Sequence, residues 1–557
     1  MVARLLQESA QRMLRRGDAV GAVTALARAA DLSPDSAHRA RRLVHAAYIA
    51  GDASGEVLGA TALLDEAELS DTQTGSSLEA AVVAAWIVLT LDGNVETAHR
   101  LLVTAIELDG DHNIVEDPAY DDALYTLMIV CYFAGRGELW RAFDEALGRC
   151  GTDAPLALTL SAKIVADPVH QGIAALPQLD DALQGLADES DPTRILRLGL
   201  VAVHGARFAA IRAPLLRVAR EGREGGAPAL AIVSLCVLVV DFFFTGRWAD
   251  AETAVDECLE LCDEYGYGLQ RWSVVHIRGI FAVMRGDNAS ARAIASDIFR
   301  WAVPRRVQAI ANYGRQVLCM AALAEGDFEE AFNQADAVSP AGTLAPYVGQ
   351  APWFMLDLVE AAVRTGRHAE AAAHARAMHD SKVGDMAPRY ALMTTAADAM
   401  CAPAGEALQL FDDALAIQGI DESPFDVGRV RLLYGERLRG NGSRSESRAQ
   451  LAAAFDVFEQ LGAQPWAARA ASELRAAGQS AEEARSAVAL TPQEQEIAML
   501  AATGLSNKQI GARLYLSHRT IGAHLYRIFP KLGITSRAAL RDALAELPPP
   551  NERADGA

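Results

Sequence analysis

Apolar residues recur along this chain at helical spacing. The segment after Gly246 is typical, placing Ala249, Ala251, Ala254, Val255 and Leu259 on one face at intervals of three, four and seven. Alternating Val, Ile and Thr runs are scarce, so the pattern predicts an all-α chain. A second pattern lies over the first: a Gly, often followed by Asp or Arg, with Ala five residues on. It occurs as Gly246…Ala251, Gly286…Ala291, Gly326…Ala331 and Gly366…Ala371, with 40 residues between successive glycines. Weaker echoes follow at Gly405 and Gly442. Earlier copies stand at Gly17-Asp18…Ala22 and Gly93-Asn94…Ala98, with Gly51-Asp52 and Gly135-Arg136 as degenerate forms. The chemistry predicts a helix closed by a left-handed Gly, then a second helix whose small Ala permits close approach. Each such hairpin buries its apolar face only by stacking on the next.

These units resemble tetratricopeptide repeats, although the period is nearer 40 than 34. The expected organisation is a helical-repeat array over 1–475, a polar linker over 476–489 around Gly478-Gln479-Ser480, and a separate module over 490–547. A tail over 548–557, opened by Pro548-Pro549-Pro550, is expected to be disordered. Repeats of this kind usually present a concave groove to a protein or small ligand, and no residue pattern names the ligand. Phe242, Phe243, Phe244, Trp248 and Trp272 read as core rather than as a ligand cage. Residues 227–244 carry Asp241 as their single charge, at the lower edge of membrane-spanning length. They read as a buried helix instead, because the run leads straight into a repeat motif and lacks a flanking basic cluster.

The pattern changes at Leu490. Thr491-Pro492-Gln493-Glu494 has the form of a capping box with Pro at the first helical position. Ile497, Leu500 and Ala501 follow at helix spacing, and Gly504 ends that helix. Ser506-Asn507-Lys508-Gln509 is a second capping box, opening a helix with Ile510 and Leu514. After Tyr515-Leu516, Ser517 caps a third helix from His518 to about Phe529, with Ile521, Leu525 and Ile528 inward. A fourth helix is expected from near Ser536, carrying Leu540 and Leu544. Short helices with a tight turn between the second and third predict a helix-turn-helix, whose third helix has the diameter to enter a DNA major groove. With Ile521 buried, Arg519, Gly522, Ala523 and Tyr526 are the expected base-facing positions. Ser506, Lys508, Ser517, Thr520, His524, Arg527 and Lys531 are the expected phosphate contacts, which add affinity without sequence preference.

Charge sharpens this division. The chain carries net −21, which taken whole disfavours a polyanionic partner. Residues 490–547 hold seven Lys or Arg against four Asp or Glu, net +3, so the remainder carries −24. An acidic body joined to a basic module is the informative feature. Seven cysteines, none in C-x-x-C spacing, read as small buried thiols in a reducing compartment, and the N-terminus lacks the apolar core of a signal peptide. Cytoplasmic location follows as the expectation. No G-x-S-x-G, H-E-x-x-H or Gly-rich phosphate loop occurs, and His518 and His524 are poorly spaced as metal ligands. The expectation is no enzyme activity, no cofactor and no metal.

The stretch Leu490-Thr491-Pro492…Glu496, Gly504-Leu505-Ser506-Asn507-Lys508-Gln509-Ile510, Leu516-Ser517…Thr520-Ile521…His524…Ile528…Lys531-Leu532-Gly533 resembles the LuxR-type helix-turn-helix. The resemblance implies a bacterial transcription regulator binding double-stranded DNA as a homodimer. Gly522 stands where the family often places a long side chain aimed at bases. Pro530 falls in the last turn of the third helix and should end or kink it. The body resembles the repeat region of the large MalT-like regulators, which carry an ATPase ahead of it. This chain begins within what resembles the repeats and has only four lysines, Lys163, Lys382, Lys508 and Lys531, none in a P-loop. It is either a naturally short version or one from which the ATPase half is missing. The alternative reading is a repeat-based interaction adaptor whose helix-turn-helix has weak or no DNA affinity.

Overall fold

The computed structural model describes residues 1–545 apart from 15–17, 53–56, 72–76, 110–116, 225–226, 479–491, 515, 533 and 535–536. The linker positions from 479, Gly17, Thr491, Ser536 and the tail 548–557 lie outside the described residues. Every regular element among the described residues is helical. The chain divides into two compact units, Met1–Val430 and Arg431–Ala557, the division falling inside helix Pro424–Gly440.

The first unit is built from antiparallel helix pairs. Helices Pro228–Phe244 and Trp248–Tyr265 form one hairpin. Gly268–Met284 with Asn288–Arg305, then Gln308–Glu325 with Phe328–Asp336, repeat it at 40-residue spacing. The glycines at the turns take positive φ: Gly246 at 70°, Gly286 at 76°, Gly326 at 78° and Gly366 at 76°. Any side chain there would be strained, which explains the repeat signature. Ala251, Ala291, Ala331 and Ala371 are all fully buried, as close helix approach requires. The residue after the Gly has its own role. Asp287 and Asp327 cap the next helix, each accepting a backbone N–H three residues on at 3.1 Å. Where Arg replaces Asp, Arg367 reaches back to Glu329 of the preceding hairpin with bonds of 2.8 and 2.7 Å.

Three local expectations shift. Ala249 is exposed, so the buried stripe of its helix runs through Trp248, Ala251, Val255 and Leu259 instead. Gly405 sits within the first turn of helix Ala404–Ala416 and Gly51 within helix Ser36–Asp52, so neither closes a helix with left-handed geometry. Phe243 stacks on Trp248 with centroids 6.0 Å apart and Phe244 meets Trp353 edge-on, which makes them core. Trp272 is half-buried against Trp301.

Helix Pro228–Phe244 is apolar on every side because it is enclosed by its neighbours. Its one charge, Asp241, is fully buried and takes two 2.6 Å bonds from Arg212 of helix Phe208–Glu224. No helix among the described residues is long and apolar enough to cross a membrane. Further buried charges are paired likewise: Arg429 bridges Asp357 at 2.5 Å and Glu360 at 2.9 Å, and Arg389 holds Asp426 at 2.6 Å. The cysteines are all free thiols, with the Cys236 and Cys258 sulfurs 3.8 Å apart.

In the second unit, helices Arg444–Leu461 and Gln464–Ala476 form a further pair. Helix Pro424–Gly440 approaches Arg444–Leu461 closely at Gly435, whose carbonyl accepts the Ser447 hydroxyl at 2.8 Å. The remaining elements are the short helices of the C-terminal module.

Candidate nucleic-acid interface

The module consists of helices Pro492–Ala502, Asn507–Leu514 and His518–Lys531, then a 3-10 turn Arg537–Ala539 leading into Leu540–Ala545. Ile497, Ala498 and Ala501 of the first helix, Ile510 of the second, Ile521, Leu525 and Ile528 of the third, and Leu540 close one apolar cluster. These are the spacings read from the sequence, so the third helix shows the expected face to the core. Gly504, with φ of 88°, ends the first helix. The third helix ends at Lys531, one residue past Pro530.

Both serine caps form. The Ser506 hydroxyl accepts the Gln509 N–H at 3.4 Å, while the Ser506 N–H and hydroxyl both donate to the Gln509 side chain at 2.9 Å. That is the reciprocal capping box. Ser517 accepts the Thr520 N–H at 3.0 Å, and the two hydroxyls lie 2.7 Å apart. The caps fix where the second and third helices start, and so fix the angle of the turn between them.

Two residues without an assigned role in the sequence reading hold this turn. Gly511 lies inside the second helix, and its carbonyl accepts the Leu516 N–H at 2.9 Å. A Cβ at Gly511 would stand 2.5 Å from the Leu516 carbonyl oxygen, so no larger residue fits without moving backbone. A Gly within a short helix just ahead of a turn was the available signal. Arg537 donates to the Asn507 side-chain oxygen at 2.7 Å and also to the Leu505 carbonyl. It thereby ties the last turn of the module to the start of the second helix, a long-range bond that no local pattern reveals.

Among the expected base-facing positions, Tyr526 is 82% exposed. Gly522 is half-buried, and the nearest atom to a Cβ placed there would be the Asn507 amide nitrogen at 3.6 Å, so a side chain would fit. The side chains of Arg519 and Ala523 lie outside the described residues. Among the expected phosphate contacts, Ser506, Lys508 and Ser517 are exposed, while Thr520 and His524 are half-buried. The side chains of Arg527 and Lys531 lie outside the described residues. Ser506, Lys508, Ser517 and Tyr526 are thus exposed, outside the apolar cluster. No group of three or more potential metal ligands occurs among the described residues.

The family model for bacterial regulatory proteins of the luxR family matches residues 488–543. A protein described as an HTH-type transcriptional regulator of Mycobacterium bovis is 42% identical over 71 residues, 13% of this chain and 8% of that protein. A nitrate/nitrite response regulator protein homologue of Haemophilus influenzae is 44% identical over 50 residues, 9% of this chain and 24% of its own length. The chain thus matches less than a tenth of the mycobacterial relative's length. Among solved structures, yeast Tom70 aligns over 85% of this chain and 96% of its own at 12% identity, with a TM-score of 0.26, too low to define a common fold. Residues 488–543 are a helix-turn-helix domain of the luxR family of bacterial regulatory proteins.

Proposed function

We propose that this chain is a bacterial transcription regulator that binds double-stranded DNA through helix His518–Lys531, with the helical repeats serving as its sensor or protein-interaction region. In this reading the repeats span 1–475 and the DNA-binding module 490–547, joined over 476–489. The observation that carries the proposal is the third module helix. Ile521, Leu525 and Ile528 anchor it in the cluster while Tyr526 stands free in solvent. A helix presented this way by a preceding capped helix and tight turn is the element that enters the major groove. Arg519, Gly522, Ala523 and Tyr526 are assigned to the bases, and Ser506, Lys508, Ser517, Thr520, His524, Arg527 and Lys531 to the phosphates.

One module contacts few phosphates, so two copies acting together on half-sites about 10 base pairs apart would supply the affinity of a regulator. Lys508 is exposed on the second helix and free to meet a phosphate. The test is a binding titration of the full chain on a random-sequence duplex at several salt concentrations. Log K should fall linearly with log salt, by about 0.9 per phosphate neutralised, and Lys508→Ala should flatten the slope by about one such unit. A salt-independent complex, or no complex at low salt, would overturn the assignment. Analytical ultracentrifugation on operator DNA tests the dimer, and one chain per site contradicts it.

A further inference from the structure

The first unit contains a mostly apolar, partly open cavity of about 180 Å³. Three helices each give it one continuous stripe. Helix Pro118–Ala134 contributes the residues at offsets 0, 3, 4, 7, 10 and 11 from Asp122 to Phe133, and helix Pro192–His204 the same offsets from Thr193 to His204. Helix Pro228–Phe244 supplies a matching stripe from Ala229 to Val240. These are core-type stripes with space between them where a packed protein interior would have side chains. Flat rings supply much of the wall, including Trp86, Tyr125, Tyr132, Tyr313 and Trp353, with Tyr313 and Trp353 stacked at 14°.

The polar groups narrow the choice of occupant. Asp122 and Arg197 are the two lining residues that carry full charges, and they pair with each other at 2.5 Å, so the cavity offers no free charge to an ionic ligand. Four polar atoms of lining residues are buried without a hydrogen-bond partner: the Gln270 side-chain oxygen and His204 Nε2, and the N–H groups of Trp86 Nε1 and Arg197 Nε. His204 Nδ1 donates to the Leu200 carbonyl at 2.9 Å, which leaves Nε2 as an acceptor. The two acceptors call for a donor and the two N–H groups for an acceptor, and a hydroxyl supplies both. An apolar cavity of roughly 150 Å³ takes one benzene ring, so the volume suits a molecule of one or two rings.

We propose that this cavity is a binding site for a neutral, flat, largely apolar molecule of one or two rings bearing a hydroxyl or N–H donor, recognised by Gln270 and His204. The site rests on the reading of the repeats as a sensor and gives that sensor its ligand class. The probe is 2-naphthol, titrated into the full chain by calorimetry beside naphthalene and 2-naphthoate. Saturable one-to-one binding is expected for 2-naphthol, at least tenfold weaker binding for naphthalene, which lacks the donor, and for 2-naphthoate, which is charged. Val233→Trp, which places an indole in the cavity from helix Pro228–Phe244, should abolish binding. Gln270→Met should weaken 2-naphthol about tenfold while leaving naphthalene unchanged, with the thermal midpoint checked for each variant. No saturable binding of 2-naphthol, equal affinity for naphthalene, or unchanged affinity in Gln270→Met overturns the proposal. DNA is absent from the titration, so the two readings fail separately. A chain that takes naphthol but not DNA defeats the regulator reading alone, and the reverse result defeats the cavity alone.

Discussion

The repeat body and the C-terminal module use their arginines in opposite ways. In the body, Arg429, Arg389 and Arg212 turn inward onto carboxylates that packing has removed from water. Such pairs orient the helices that carry them, and little of their charge is left to act at a distance. In the module, Arg537 and Arg541 donate to a side-chain amide and to backbone carbonyls. Lys508 stands exposed. The same residue type closes buried ion pairs in the acidic, repeat-packed body and hydrogen-bonds neutral groups in the small basic module. Net charge over the whole chain therefore says little about either part.

The largest effect that would break this contrast is at Arg429. Arg429→Met removes the guanidinium that pairs with buried Asp357 and Glu360, and burial already pushes the Asp357 carboxyl above its ordinary range. A loss of about 3–5 kcal/mol in body stability is expected by chemical denaturation. A variant as stable as the parent would show that the pair is not needed. In the module, Gly511→Ala forces a methyl against the Leu516 carbonyl. A cost of about 1–3 kcal/mol, of the kind overpacking produces, should abolish DNA binding while the body's own unfolding transition stays in place.

Acid sharpens the contrast next. Burial pushes His276 down to about 3 and His374 down to about 4, from an ordinary value of 6.5. Above pH 6.5 both are neutral, folded or unfolded, and contribute no pH dependence. As pH falls from 6.5 towards 4 the unfolded chain takes up protons that the folded chain refuses, so stability is lost. The slope is about 1.4 kcal/mol per pH unit for each histidine. His276→Phe, which keeps a ring against Tyr313, should remove one share of that slope in urea unfolding at pH 7, 6 and 5. An unchanged slope would show that His276 is not held neutral. The smallest expected effect is at the caps: Ser506→Ala and Ser517→Ala should each lower the module's stability by about 1 kcal/mol. Thermal unfolding followed for each variant checks this, and equal midpoints would show the caps to be idle.

Much of this architecture could be read in the sequence because local chemistry fixes it. Left-handed glycines at 246, 286, 326 and 366 each need the same backbone conformation, so the repeat left a periodic trace. Ser506 with Gln509, and Ser517 ahead of Thr520, are local caps that announce helix starts. What stayed hidden depends on residues brought together from far apart. Arg537 meets Leu505 and Asn507 across 30 or more positions. The cavity stripes of helices Pro118–Ala134 and Pro192–His204 have the same spacing as stripes that close on a neighbour. Periodicity gives the face of a helix but not whether that face meets side chains or space. Gly405 and Ala249 show the converse, since residues that fit a pattern in sequence can fall a turn away from the place it requires.

The measurement that bears most directly on the central claim is genome-wide immunoprecipitation of the full chain from its host, beside an Arg519→Glu control that reverses a charge on the third module helix. Discrete peaks sharing one sequence motif, lost in the control, are the predicted result. No peaks with the parent chain, or the same peaks with Arg519→Glu, would contradict a regulator that reads DNA through helix His518–Lys531.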